Sequence, residues 1–232
     1  MPDESEQRPA ELIPSAHFNE VLGRVFTSRL QPLGFESCKG NRWVCSDQAS
    51  IRKVFALSGL KGLSTAPMWG FSFDFVPHLA AGDEVRWHRT AKSAWFDLSY
   101  DPIDYTREPR SWSLSRFDPI DTLEARARVL AIRSIESATS FWARINSIQD
   151  IPGVFEEWRD RPFVRFGFVN YGHAWLAYAF VLARLGRKSE ASAWLERYLE
   201  RDVRDEAKSL LRKRLDEVHE ERRGNGATGE TT

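Results

Sequence analysis

The sequence predicts an α+β fold, with an N-terminal helix on an antiparallel sheet of about four or five strands, followed by a C-terminal helical bundle. Three observations predict it. Apolar residues recur at steps of three and four between Ser15 and Leu30. Aromatic residues then alternate along WGFSFDFVP, and past Asp118 the helical period returns and persists almost to the C-terminus.

The first helix is read from Phe18, Val21, Leu22, Val25, Phe26 and Leu30, with Ser15 as its N-cap and Pro32 and Gly34 as its stop. RWVCSDQ and SIRKVFALSG are short β-branched or aromatic segments bounded by turn residues. Trp69, Phe71, Phe73 and Phe75 form the clearest strand, with Gly70, Ser72 and Asp74 between them. The aromatic face is expected to be core under the first helix, the competing reading being a ligand pocket. SAWFDLSYD alternates Phe96, Leu98 and Tyr100 against Trp95, Asp97 and Ser99 and predicts a further strand. Short connections between successive strands imply antiparallel pairing. Asp118 as N-cap and Pro119 at the first helical position then open a long helix through Leu123, Val129, Leu130, Ile132, Ile135 and Phe141. After Pro152, Gly153 and Pro162, GHAWLAYAFVLARLGRKSEASAWLERYLERD predicts two helices joined near Gly186, and DEAKSLLRKRLDEVHEERR a third. The expected organisation is a disordered tail at 1–14, helix plus sheet at 15–117, a helical region packed on it at 118–223, and a second tail at 224–232.

Composition narrows the function classes. A chain of 232 residues that is 42% hydrophobic with nine tryptophans buries a core. Its 33 basic and 33 acidic residues cancel, so no global field draws it to nucleic acid or anionic lipid. The longest apolar run, AWLAYAFVLARLG, is interrupted by Arg184 and falls short of the roughly 20 residues a span requires. Cys38 and Cys45 match no zinc spacing, and MPDESEQRPAELIP has no apolar export segment. Free thiols in a reducing cytoplasm are expected, although a disulfide across a hairpin is geometrically conceivable.

Two resemblances follow from quoted residues. FNEVLGRVFTSRLQPLGFESCKGNRWVC, with Leu30, Gly34, Phe35, Arg42 and Trp43, resembles an uncharacterised bacterial family, a domain of unknown function built on an N-terminal helix, Leu-x-x-x-Gly-Phe and aromatic strands. The resemblance spans residues 16–140 and implies an α+β fold without a known activity. AYAFVLARLGRKSEASAWLERYLE, with Ala177, Leu185, Gly186, Glu190 and Ala191, is similar to a single tetratricopeptide-type helical hairpin. One unit does not make a solenoid, so it implies a helical pair packed on its own domain.

The candidate chemistry is sparse. Asp-Pro-Ile-Asp occurs twice, at Asp101–Asp104 and Asp118–Asp121. Asp-Pro initiates turns, whereas a cation site needs several oxygens converging on one ion. Two segments mix cations with an aromatic: EVRWHRTAK carries Arg86, Trp87, His88, Arg89 and Lys92, and TREPRSWSLSR carries Arg107, Arg110, Trp112 and Arg116. Arginine with tryptophan grips phosphates, stacks bases or anchors protein interfaces. Glu156 and Asp160 share a helical face with Arg159 and Arg161 at hand, which reads as a solvated ion-pair face. Tyr171, His173 and Trp175 stand at a helix entrance where polar aromatics often face a groove. The five histidines have no metal spacing, and no nucleophile elbow or phosphate loop occurs. No catalytic residue, cofactor or metal site is therefore expected.

The functional expectation is a cytoplasmic protein-interaction module, of the immunity or regulatory kind, that binds another protein through Arg86, Trp87, Arg89, Arg107, Arg110, Trp112 and Arg116. The alternative is a hydrolase or transferase whose site is assembled from Asp101, Asp104, Asp118, Asp121 and His173. Nucleic-acid binding ranks last.

Overall fold

α1, Ser15–Leu30, turns Phe18, Val21, Leu22, Val25, Phe26 and Leu30 into the core because residues three and four apart share one helical face. The computed structural model describes residues 12–60, 63–80, 83–86, 90–100, 111–159, 172–201 and 203–226. After a 3-10 turn at Gln31–Leu33, Gly34 adopts φ 84°, and its N–H and that of Phe35 donate to the Gln31 and Leu30 carbonyls. This is a Schellman closure with its usual apolar contact, since Leu30 and Phe35 are both buried. Leu-x-x-x-Gly-Phe is thus a helix stop.

The strands are β1 (Glu36–Cys38), β2 (Arg42–Gln48), β3 (Ile51–Leu60), β4 (Ser64–Phe73), β5 (His78–Leu79), β6 (Val85–Arg86), β7 (Leu98–Tyr100) and β8 (Leu114–Ser115). β1 to β4 run as an antiparallel meander, β7 and β8 both pair with β4, and β5 and β6 make a separate ribbon. Cys38 lies opposite Arg42 and Glu36 opposite Val44, which puts Cys45 three pairs along from Cys38, about 10 Å away. That is beyond disulfide reach, and both thiols are free.

Cross-strand register sets Trp43, Phe55 and Trp69 in one row on the core face. Phe26 of α1 sits 5.9 Å from Trp43 and 5.6 Å from Phe55, and Phe55 stacks on Trp69 at 6.2 Å. Each such pair adds about 0.5–1.5 kcal/mol beyond area burial. Trp69, Phe71 and Phe73 are fully buried, so the aromatic strand is core.

α2, Leu123–Trp142, lies beside α1 and over β4. Its buried face is Leu123, Ala127, Leu130, Ala131, Ser134, Ile135, Ala138, Phe141 and Trp142. Val129 and Ile132, expected inside, are exposed. The small side chains at Ala127, Ala131, Ser134 and Ala138 permit close packing beside Leu123, Leu130 and Ile135, and Val129 and Ile132 fall outside that stripe. Asp118 is not the N-cap either: the chain makes a 3-10 turn at Ile120–Thr122, and α2 begins only at Leu123. The strand expected over Ser93–Asp101 is confined to Leu98–Tyr100. Asp97 turns inward instead, its N–H donating to the Phe71 carbonyl (2.8 Å) and its carboxylate accepting the Phe73 N–H (2.7 Å). Ala94 is thereby laid against Val44 and Val54 on the far face of the sheet.

The remaining helices are α3 (Ile151–Arg159), α4 (Gly172–Arg184), α5 (Lys188–Leu199) and α6 (Asp205–Gly226). Leu176 to Ala183 are all buried, as a helix apolar on every side requires, and α4 accordingly packs against α3, α5 and α6. Gly186, at φ 83°, ends α4 with a second Schellman closure through the Gly186 and Arg187 N–H groups. The helical pair expected around Gly186 is present. Sheet and helices share one continuous core, which includes Ile13 from the expected N-terminal tail. Among the described residues no helix is long and apolar enough to cross a membrane.

The tightest point in the sheet is Gly70. A Cβ there would lie 2.0 Å from the Leu98 carbonyl oxygen, while the Trp142 indole donates to the Gly70 carbonyl at 3.0 Å. Gly70→Ala is expected to cost on the order of 3 kcal/mol by forcing β7 off β4; an unchanged midpoint in urea denaturation would contradict this. A second expectation concerns pH. Burial pushes the Tyr198 phenol up to about 12, and burial with a hydrogen bond to Glu156 raises Tyr178 as well. The folded state holds these protons above the ordinary tyrosine range. Their stabilisation is complete below about pH 10 and declines as pH rises toward 12, by up to about 1.4 kcal/mol per pH unit per group. Tyr198→Phe should flatten that decline in alkaline denaturation curves; an unaltered slope would refute the assignment to Tyr198.

Candidate interaction surface

β8 leads into the second Asp-Pro-Ile-Asp through a turn that Asp118 closes. The Asp118 N–H donates to the Ser115 carbonyl (3.0 Å), one carboxylate oxygen accepts the Ser115 N–H (2.7 Å), and the other pairs with Arg126 of α2. An aspartate bonding its own nearby backbone is turn chemistry. Arg116, inside the same turn, is tied to the N-terminal segment: the Ile13 N–H donates to the Arg116 carbonyl (2.8 Å), and the Arg116 Nε–H donates to the Ile13 carbonyl (2.7 Å). A further bond runs from the Arg116 N–H to the Leu63 carbonyl.

This reciprocal pair pins Leu12, Ile13 and Pro14 alongside Phe117 to Asp121, and between them lies a groove of about 500 Å³. Its walls are mainly apolar. Phe117 is 52% exposed and Ile120 is 59% exposed at its rim. Asp121 makes no ion pair among the described residues, and its carboxylate stands at the edge of this surface. A second hollow of about 340 Å³ runs between Ser111, Ser113 and Leu114 and the α2 residues Arg126, Val129 and Arg133. The Asp118–Arg126 pair divides the two, because Asp118 lines the first and Arg126 the second. Val129, 67% exposed, extends the apolar surface along α2.

The residues expected to bind a partner are placed as follows. Arg86, on β6, pairs with Glu84 at 2.9 Å. Trp112 is half-buried, 6.3 Å from Trp69 and capped by the Arg133 guanidinium at 4.2 Å from the ring centre. Arg116 holds Ile13. Trp87, Arg89, Arg107 and Arg110 lie outside the described residues, as do Asp101 and Asp104 of the alternative site and the side chain of His173. Asp118 and Asp121 stand at the groove, one engaged in its turn and the other exposed. Among the described residues no three His, Cys, Asp or Glu side chains converge as metal ligands would. Glu156 accepts from the Tyr178 hydroxyl (2.8 Å) and lies 4.0 Å from Arg187 of the α4–α5 connection; Asp160 and Arg161 and the side chain of Arg159 lie outside the described set.

Sequence reasoning missed the groove itself. Phe117 and Ile120 flank Pro119 in the repeat, and apolar residues in a turn that interrupt no helical or strand period were the available signal. No family model matches the chain, and no curated protein and no solved structure is detectably similar to it.

Arg116 and Phe117 are neighbours with opposite expected behaviour. Arg116→Ala removes a charge-assisted bond and loosens Ile13, with an expected loss of about 1–3 kcal/mol. Phe117→Ser should leave the melting temperature within the small range of surface substitutions. Thermal denaturation of the two variants side by side checks this, and a Phe117→Ser loss as large as that of Arg116→Ala would show the groove wall to be core.

Proposed function

We propose that this protein is an interaction module whose contact surface is the groove between Leu12–Pro14 and Phe117–Asp121, continued by Val129. The observation that carries the reading is the cluster of large apolar side chains at half exposure or more around a preformed hollow, held by the half-buried Asp118–Arg126 ion pair and by the Ile13–Arg116 bonds. Apolar surface left in water at a rigid site is where a partner gains binding energy. The fitting partner is a protein segment that inserts an apolar side chain between Phe117 and Ile120 and presents a basic residue to Asp121. Of the residues expected to bind, Arg116 is built into the groove and Trp112, capped by Arg133, adjoins the second hollow. A cytoplasmic setting accords with the two unbridged thiols.

The test compares capture from a lysate of the source organism by the wild-type chain and by a Phe117→Ser/Ile120→Ser double variant of unchanged melting temperature. A protein retained near stoichiometrically by the first and reduced at least about tenfold by the second supports the reading. Equal capture by both overturns it.

A further inference from the structure

A second surface lies on α4 and α5. Trp175 of α4 is half-buried and meets Trp194 of α5 edge to face, ring centres 6.2 Å apart. Over these rings sit two exposed arginines one helical turn apart. The Arg197 guanidinium is 4.5 Å from the Trp175 ring centre and 5.3 Å from that of Trp194, and Arg201 is 5.3 Å from the same Trp175 ring. Both cations therefore crowd one indole.

Arg197 lies on α5 and Arg201 just past its end, and two cations brought over one ring repel, which natural surfaces usually offset by interspersing acids. Here the acids of α5, Glu190 and Glu196, are engaged elsewhere, as is Asp83. Glu190 binds Arg187, Glu196 binds Arg212 in a two-point contact at 2.7 Å, and Asp83 accepts the Arg204 N–H. Glu200, just past the end of α5, forms no ion pair among the described residues, and neither Arg197 nor Arg201 has an ion-pair partner among them. Stacking on an indole immobilises a guanidinium while leaving its in-plane N–H groups directed outward, so the ordering that a carboxylate would otherwise impose is already complete.

We infer that Arg197 and Arg201 on their Trp175–Trp194 platform form a docking site for an acidic protein segment, one carrying carboxylates a helical turn apart to match the spacing of the two guanidiniums. Bidentate arginine–carboxylate bonds supply the directionality, and the aromatic platform supplies the fixed geometry. The site is independent of the groove at Phe117 and needs nothing from it.

The probe is an alanine-based helical peptide with glutamates four residues apart, titrated against the full chain while the indole N–H resonances of Trp175 and Trp194 are followed by NMR. Saturable shifts of both resonances are expected, absent with the glutamine version of the peptide. Arg197→Gln/Arg201→Gln should weaken binding at least about tenfold, whereas Arg128→Gln on α2 should leave it unchanged. The proposal is overturned by the absence of a saturable shift, by equal affinity in the double variant, or by inorganic phosphate binding at the platform when the peptide does not.

Discussion

The rest of the structure depends on how closely the chain can pass Gly70. With no side chain there, β7 approaches β4 to a distance that a Cβ would forbid, and the Gly70 carbonyl is reached by the Trp142 indole from the end of α2. One residue thus joins the sheet, its late strand and the second helix. Asp97 completes the junction by capping the Phe73 N–H just before β7 begins, which leaves a buried backbone donor satisfied. Around this point the aromatic row Trp43, Phe55 and Trp69 fills the space beneath α1 and α2.

Such a junction determines what the surface can offer. Because α2 packs through a stripe of alanines and a serine together with Leu123, Leu130 and Ile135, Val129 and Ile132 are left facing water. Because Ile13 belongs to the core and is tied to Arg116, Leu12, Ile13 and Pro14 are brought beside Phe117 and Ile120. The groove is therefore a by-product of two structural decisions, and its rigidity comes from bonds that a partner need not supply. Polar groups that sequence inspection would place in a binding site, Asp118 and Arg116 above all, are consumed in building it.

The helical half follows a different logic. α4 is apolar on all sides and lies among α3, α5 and α6, so its amphipathic neighbours present their polar faces outward. Most surface charges there cancel pairwise, as in Lys188–Asp216 and Arg212–Glu196. Exposed pairs of this kind contribute little stability. They matter more by contrast, since Arg197 and Arg201 have no ion-pair partner among the described residues and lie against aromatic rings instead.

The sequence by itself determined whatever is local. The helical periods of Phe18 to Leu30 and of the C-terminal helices, the alternation of Trp69, Phe71 and Phe73, and the glycine stops at Gly34 and Gly186 each express steric and hydrophobic rules acting within a few residues. They sufficed for the α+β class and for the core face of β4. Tertiary structure alone decided the rest: that Asp97 turns inward, which face of α2 is buried, and that Arg116 reaches Ile13. Each depends on a partner distant in sequence, as with the 103 residues separating Arg116 from Ile13. Whether a polar side chain is free to bind or already bonded is a property of such long-range neighbours, so the surface became legible only when the chain was folded.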